Sequence, residues 1–127
     1  NAETCFDAFE DELRDLPGPY ARPTGVVVLG FVNREPAACV AMRPLSASTC
    51  ELKRLYVRPE ARGTGLGLGL VRRVLREARE LGYATIKLDT LPTMTQAIKL
   101  YEKMGFVRTR PYNHRKAGEA VFFERAI

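Results

Sequence analysis

The chain has 127 residues, a net charge of +5, 46% hydrophobic and 28% charged residues. That length suits a single domain over 1–127, and the composition is ordinary for a globular protein with its own core. Three scattered cysteines and one histidine (Cys5, Cys39, Cys50 and His114) argue against a disulfide framework, a metal site or a Ser–His or Cys–His nucleophilic centre. With no apolar run of about 20 residues and no secretory pattern, they point to a reducing, cytoplasmic setting without a membrane role.

Residues 4–16 predict a helix, with Phe6, Phe9, Leu13 and Leu16 at helical spacing and Pro17-Gly18-Pro19 as its stop. A strand is expected over 24–32, a hairpin turn over Asn33-Arg34-Glu35-Pro36 and a returning strand over 37–43. Pro44 to Thr49 forms a second turn, and residues 50–57 a third strand of an antiparallel meander. A helix over 65–81 carries the apolar stripe Leu66, Leu70, Val71, Val74, Leu75, Ala78 and Leu81, with Gly82 after its end. Its Arg72, Arg73, Arg76 and Arg79 alternate with Glu77 and Glu80, the mixed signs of a solvated face, not of a nucleic-acid patch.

Residues 83–89 predict a strand parallel to 50–57, the two joined by that helix. Thr93-Met94-Thr95-Gln96 has the pattern of a capping box opening a helix over 94–104, which Gly105 ends. Short strands are expected over 106–109 and 119–126, separated by a polar loop from Arg110 to Gly118. The order implies an α/β fold around one mixed sheet.

Between the strand at 50–57 and the next helix lies Arg62-Gly63-Thr64-Gly65-Leu66-Gly67-Leu68-Gly69, with glycine at every second position. Such a turn lets backbone N–H groups approach a ligand closely, and the helix start that follows suits a phosphate. A nucleotide-hydrolysing P-loop would need Gly and Lys where Leu68 and Gly69 stand. A dinucleotide fingerprint would need Gly where Leu68 or Leu70 stands. A turn bared only for tight packing is the plain alternative.

Arg62-x-x-Gly65-x-Gly67 matches the [Q/R]-x-x-G-x-[G/A] motif of the GNAT superfamily, the acyl-CoA-dependent N-acyltransferases. Leu55-Tyr56-Val57-Arg58-Pro59 before it is similar to the family's lead-in. Ala97-Ile98-Lys99-Leu100-Tyr101-Glu102-Lys103-Met104-Gly105-Phe106 resembles its A-x-x-L-Y-x-x-x-G-F signature. The resemblance spans roughly residues 20–127 and implies the GNAT fold, here without the family's first strand and helix. That would leave the strand at 24–32 as a sheet edge. Met94 departs from the pattern, since many relatives place Asn there to orient the pantetheine arm.

The resemblance further implies acetyl-CoA as co-substrate, its pyrophosphate on the backbone of Gly63, Thr64, Gly65, Leu66, Gly67 and Leu68 beside Arg62. The pantetheine would bond to the backbone of Leu55 and Val57, and Lys103 would meet the 3′-phosphate or simply be solvated. Glu51 corresponds to the catalytic glutamate of some relatives; its plain alternative is a carboxylate paired with Lys53, and Asp89 or a water chain are other candidate bases. Tyr101 corresponds to the tyrosine near the thiol sulfur that protonates the leaving group. The acceptor would be an amine on a small molecule or a protein, in direct transfer; a homodimer fits the family. A non-catalytic acyl-CoA sensor is the rival function. Pro111, Tyr112 and Asn113 either line the acceptor pocket or form a surface loop.

Overall fold

Six strands and two helices make up the ordered architecture of this computed structural model, which describes residues 16–113 and 119–127. The expected helix over 4–16, save Leu16, lies outside the described residues, as do Cys5, His114 and the far part of the Arg110–Gly118 loop. The strands are β1 (Val26–Val32), β2 (Glu35–Pro44), β3 (Thr49–Val57), β4 (Thr85–Thr90), β5 (Val107–Arg108) and β6 (Val121–Ala126). Helix α1 (Leu66–Glu80) links β3 to β4, and α2 (Thr95–Lys103) follows β4. One mixed sheet results, in the order β1-β2-β3-β4-β6-β5, with only β3 and β4 parallel. Among the described residues β1 is an edge, and its Val27, Leu29 and Phe31 are exposed.

The first turn is tighter than expected. Val32 pairs with Glu35, so only Asn33 and Arg34 turn the chain, both with positive φ (51° and 68°). This left-handed pair matches the twist of the flanking strands, so Glu35 and Pro36 join β2. The helix ends follow the glycine signals. Gly82 (φ 93°) and Gly105 (φ 90°) each close a Schellman motif, with Tyr83 N–H donating to Ala78 O (3.1 Å) and Phe106 N–H to Tyr101 O (3.0 Å). The expected capping box is not formed. A turn from Leu91 to Met94 (Met94 N–H to Leu91 O, 2.9 Å) moves the N-cap from Thr93 to Met94, and no side chain caps α2.

Both helices pack on one face of the sheet. Leu70, Val71, Val74, Leu75 and Ala78 of α1 and Tyr101 of α2 are buried against Val40, Met42, Cys50, Leu52, Ile86, Leu88 and Phe123. The alternation along β3 and β4 sends Glu51, Lys53, Lys87 and Asp89 to the opposite face.

The sheet is forked at its centre. β3 and β4 pair only where Thr49, Cys50 and Glu51 face Thr85, Ile86 and Lys87; β3 runs on to Val57 and β4 to Thr90 without pairing to each other. β4 is held along its full length by β6, so the divergence belongs to β3. Its cause is a bulge. Between the pairs Ala41–Lys53 and Cys39–Tyr56, the two residues Arg54 and Leu55 stand opposite Val40 alone. Arg54 takes a left-handed φ of 61°, and the Cys39 thiol donates to its carbonyl at 3.3 Å. Such an extra residue bends the strand that carries it.

Candidate active site at the strand fork

Past the fork, β3 ends in a short 3-10 turn (Pro59–Ala61) and the glycine turn opens α1. Gly65 is the N-cap, with φ 88° and no side-chain cap. The first bond of the α-helical ladder is from Gly69 N–H to Gly65 O (3.0 Å). The N–H groups of Leu66, Gly67 and Leu68 therefore precede any intrahelical acceptor, as at every helix start. Thr64 Oγ1 donates to Ala61 O (2.6 Å) and tightens the turn.

The four glycines have different reasons. Gly63 and Gly65 have positive φ, and an added Cβ at either meets nothing within 4 Å. Gly67 alone is packed: a Cβ there lies 3.4 Å from Leu100 Cδ2 and 3.6 Å from Val57 Cγ2, so it seats α1 against α2 and β3. Gly69 is in open space with helical geometry. An alanine at Gly67 would meet only ordinary contact, so packing demands none of the four glycines, and the positive φ at Gly63 and Gly65 accounts for two.

Arg62 is exposed but not loose. Its Nε donates to the Val57 carbonyl (2.9 Å), and its guanidinium lies 5.8 Å from the Tyr56 ring centre. Val57 O is thereby engaged by the protein's own side chain, and Arg62 clamps the end of β3 to the turn. Leu55, Val57 and Leu66 pack partly buried against the core; Thr64 and Lys103 are exposed.

On the opposite face stands Glu51, the last β3 residue paired to β4 and 1% exposed. Lys53, the expected neighbour, is 4.0 Å away, but the close partners are others. Arg43, directly across on β2, donates through Nε to Oε1 (2.8 Å), and the Tyr112 hydroxyl donates to Oε2 (2.6 Å). Lys53 is nearer to Asp89 (3.6 Å), whose other oxygen accepts from Asn113 Nδ2 (3.0 Å). Burial and the Glu51 charge push the Tyr112 phenol well above its ordinary pKa, so it remains a donor. Tyr112 and Asn113 are therefore tied to the site, not a free surface loop. Nothing in the sequence around them signals this, because their partners lie 61 and 24 residues away. The Arg43–Glu51 pairing is a register effect across the 44–49 turn.

Tyr101 lies on the helix-covered face, 5% exposed, its ring 5.7 Å from Phe106 and 6.3 Å from Phe123. The two catalytic candidates thus belong to opposite faces of the sheet. The fork begins at Glu51, the last residue at which β3 and β4 are paired. Cys50 is in the core, its thiol pushed up to about 12 by burial, and burial also raises Cys39. Among the described residues, no helix is long and apolar enough to cross a membrane.

The model of the acetyltransferase (GNAT) family matches residues 2–106. The chain belongs to this family. An uncharacterised N-acetyltransferase of Schizosaccharomyces pombe is 39% identical to this GNAT chain over 122 residues, covering 94% of it and 75% of the relative. An uncharacterised N-acetyltransferase of Dictyostelium discoideum is 42% identical over 74 residues, 58% of the chain but only 34% of that longer relative. Among solved structures, a GNAT family acetyltransferase from Elizabethkingia anophelis with acetyl-CoA bound superposes with a TM-score of 0.72 at 20% identity, over 95% of this chain and 82% of its own. That likeness extends the family assignment to the fold.

Proposed function

We propose that the chain, acting as one domain, moves an acetyl group from acetyl-CoA directly to a primary amine on a small molecule or a protein. The observation that carries this reading is the fork. The fork parts β3 from β4 between the face bearing Tyr101 and the face bearing Glu51, which supports a reading in which donor and acceptor approach the reacting carbonyl from opposite sides.

The turn N–H groups of Gly63 to Leu68 hold the pyrophosphate. Arg62 positions them by clamping Val57, and Lys103 lies at the α2 end for the 3′-phosphate. The diverging backbone at Leu55 and Val57 takes the pantetheine, and the Val57 N–H polarises the thioester carbonyl. Glu51 takes the proton that the amine loses on attack, and Tyr101 returns one to the departing thiolate. A ping-pong route through cysteine needs a thiolate nucleophile. The raised thiols of Cys39 and Cys50, the cysteines among the described residues, support direct transfer in a ternary complex instead.

The test is release of coenzyme A thiol from acetyl-CoA across a panel of amines, with initial rates fitted over both substrates. Intersecting double-reciprocal lines support the ternary complex. Parallel lines, or tight coenzyme A binding with no turnover on any amine, count against it; the latter result favours the acyl-CoA sensor.

A further inference from the structure

The hydrogen bonds to Glu51 come from two elements with different roles. Arg43 belongs to β2 and is set opposite Glu51 by strand register alone. Tyr112 belongs to the segment between β5 and β6, and several contacts aim it. Its ring stands edge-on to Phe122 of β6 (5.4 Å between centres, 79° between planes). Lys87 Nζ of β4 lies 5.5 Å from the ring centre. The next residue, Asn113, bonds Asp89 of β4. Two consecutive residues thus hold one carboxylate on each of the strands that separate at the fork.

We propose that Tyr112 is a positioning residue for Glu51: its hydroxyl fixes Oε2 at the fork, so that the carboxylate meets the acceptor amine in one orientation. The proposal rests on Glu51 being the base. Among the described residues, the charged and titratable groups facing Glu51 are Arg43 from β2, Lys53 from β3, its register partner Lys87 from β4, which pairs with Glu124 of β6, and, beyond Lys53, Asp89 from β4, with Tyr112 from the loop. Tyr112 is the uncharged donor among them. Its removal leaves the cations in place and takes away one hydrogen bond to the ionised form. A carboxylate that loses such a donor binds its proton more tightly.

The experiment uses the full chain, acetyl-CoA and the best amine of the panel. Tyr112→Phe keeps the ring against Phe122 and deletes only the hydroxyl. The expected result is a fall in kcat of about tenfold and an acid limb of the kcat profile displaced upward by roughly half to one pH unit. The dissociation constant of coenzyme A, measured by calorimetry, is expected to stay within about twofold, showing an intact fold and donor site. A Tyr112→Phe profile superimposable on the wild type, with loss of activity only in Tyr112→Ala, overturns the proposal and leaves the ring a packing element. Glu51→Gln separates the two readings. If it abolishes turnover while Tyr112→Phe is silent, the base stands and the positioning role falls. If it turns over like the wild type, both fall.

Discussion

Replacing Glu51 by Gln separates chemistry from architecture, because the two effects differ in size. The amide keeps the shape, and one oxygen still accepts from Arg43, but the charge is gone. Glu51 now accepts 2.8 and 2.6 Å hydrogen bonds from Arg43 and Tyr112. The Tyr112 bond loses its charged acceptor, about 1 kcal/mol, and Arg43, still charged and bonded to the amide oxygen, loses its counter-ion, about 1 kcal/mol more, so the total is about 2 kcal/mol. Lys53 keeps Asp89 at 3.6 Å, which limits the cost of the missing anion. For a domain of this size that is a fall in Tm of roughly 6–10 °C. Even a chain with only about 5 kcal/mol of stability would stay about 99% folded. Loss of a general base costs about 10²- to 10⁴-fold in kcat, far beyond any change in folded fraction. The assays are thiol release under saturating acetyl-CoA and urea unfolding of the same preparation. A variant that loses stability as expected but keeps kcat within threefold would refute the catalytic role and leave Glu51 a structural ion pair.

Four further outcomes test other parts of the structure. Gly65→Ala forces a side chain to φ 88°, which costs about 1–2 kcal/mol, and is expected to weaken coenzyme A binding tenfold or more. Gly69→Ala, in open helical space, is expected to gain about 0.5–1 kcal/mol in urea titrations, and a loss there would contradict the placement of Gly69 within α1. Tyr101→Phe keeps the ring packed on Phe106 and Phe123, so stability should change by no more than about 1.5 kcal/mol while kcat falls at least about tenfold; unchanged turnover would assign the leaving-group proton to another donor. Glu77 is held by Arg22 (2.8 Å) and Arg73 (2.9 Å), which lower its pKa. A lowered folded-state pKa adds stability above the unfolded value of about 4.3 and loses it as pH falls through the folded value. Glu77→Gln should therefore cost about 1 kcal/mol at pH 7, both arginines being half exposed, and the gap to wild type should close in acid. A gap that is constant with pH would show that the ion pair is not its source.

Periodicity and glycine placement made most elements legible in advance. The stripe from Leu70 to Ala78 has one burial solution, and Gly82 and Gly105 stop their helices because the left-handed residue after a helix is cheapest as glycine. Element boundaries shift where neighbouring segments compete locally. Thr93 carries a capping pattern, but the turn begun at Leu91 set the helix start one residue later. Asn33 and Arg34 turn the chain alone because strand twist favours a two-residue loop.

The sequence by itself determined the glycine turn proposed for the donor. A glycine turn at a helix start is a local object, built from consecutive residues whose φ values and missing side chains are written in the chain between Arg62 and Gly69. The acceptor side was decided by tertiary structure. Glu51 was a candidate from its motif position, but its partners Arg43, Tyr112 and Asn113's neighbouring hold on Asp89 depend on register, on loop return and on a bulge at Arg54 that parts two strands. Those are long-range pairings, and their free energy comes from groups that meet only after the sheet has formed, so no local pattern of residues encodes them.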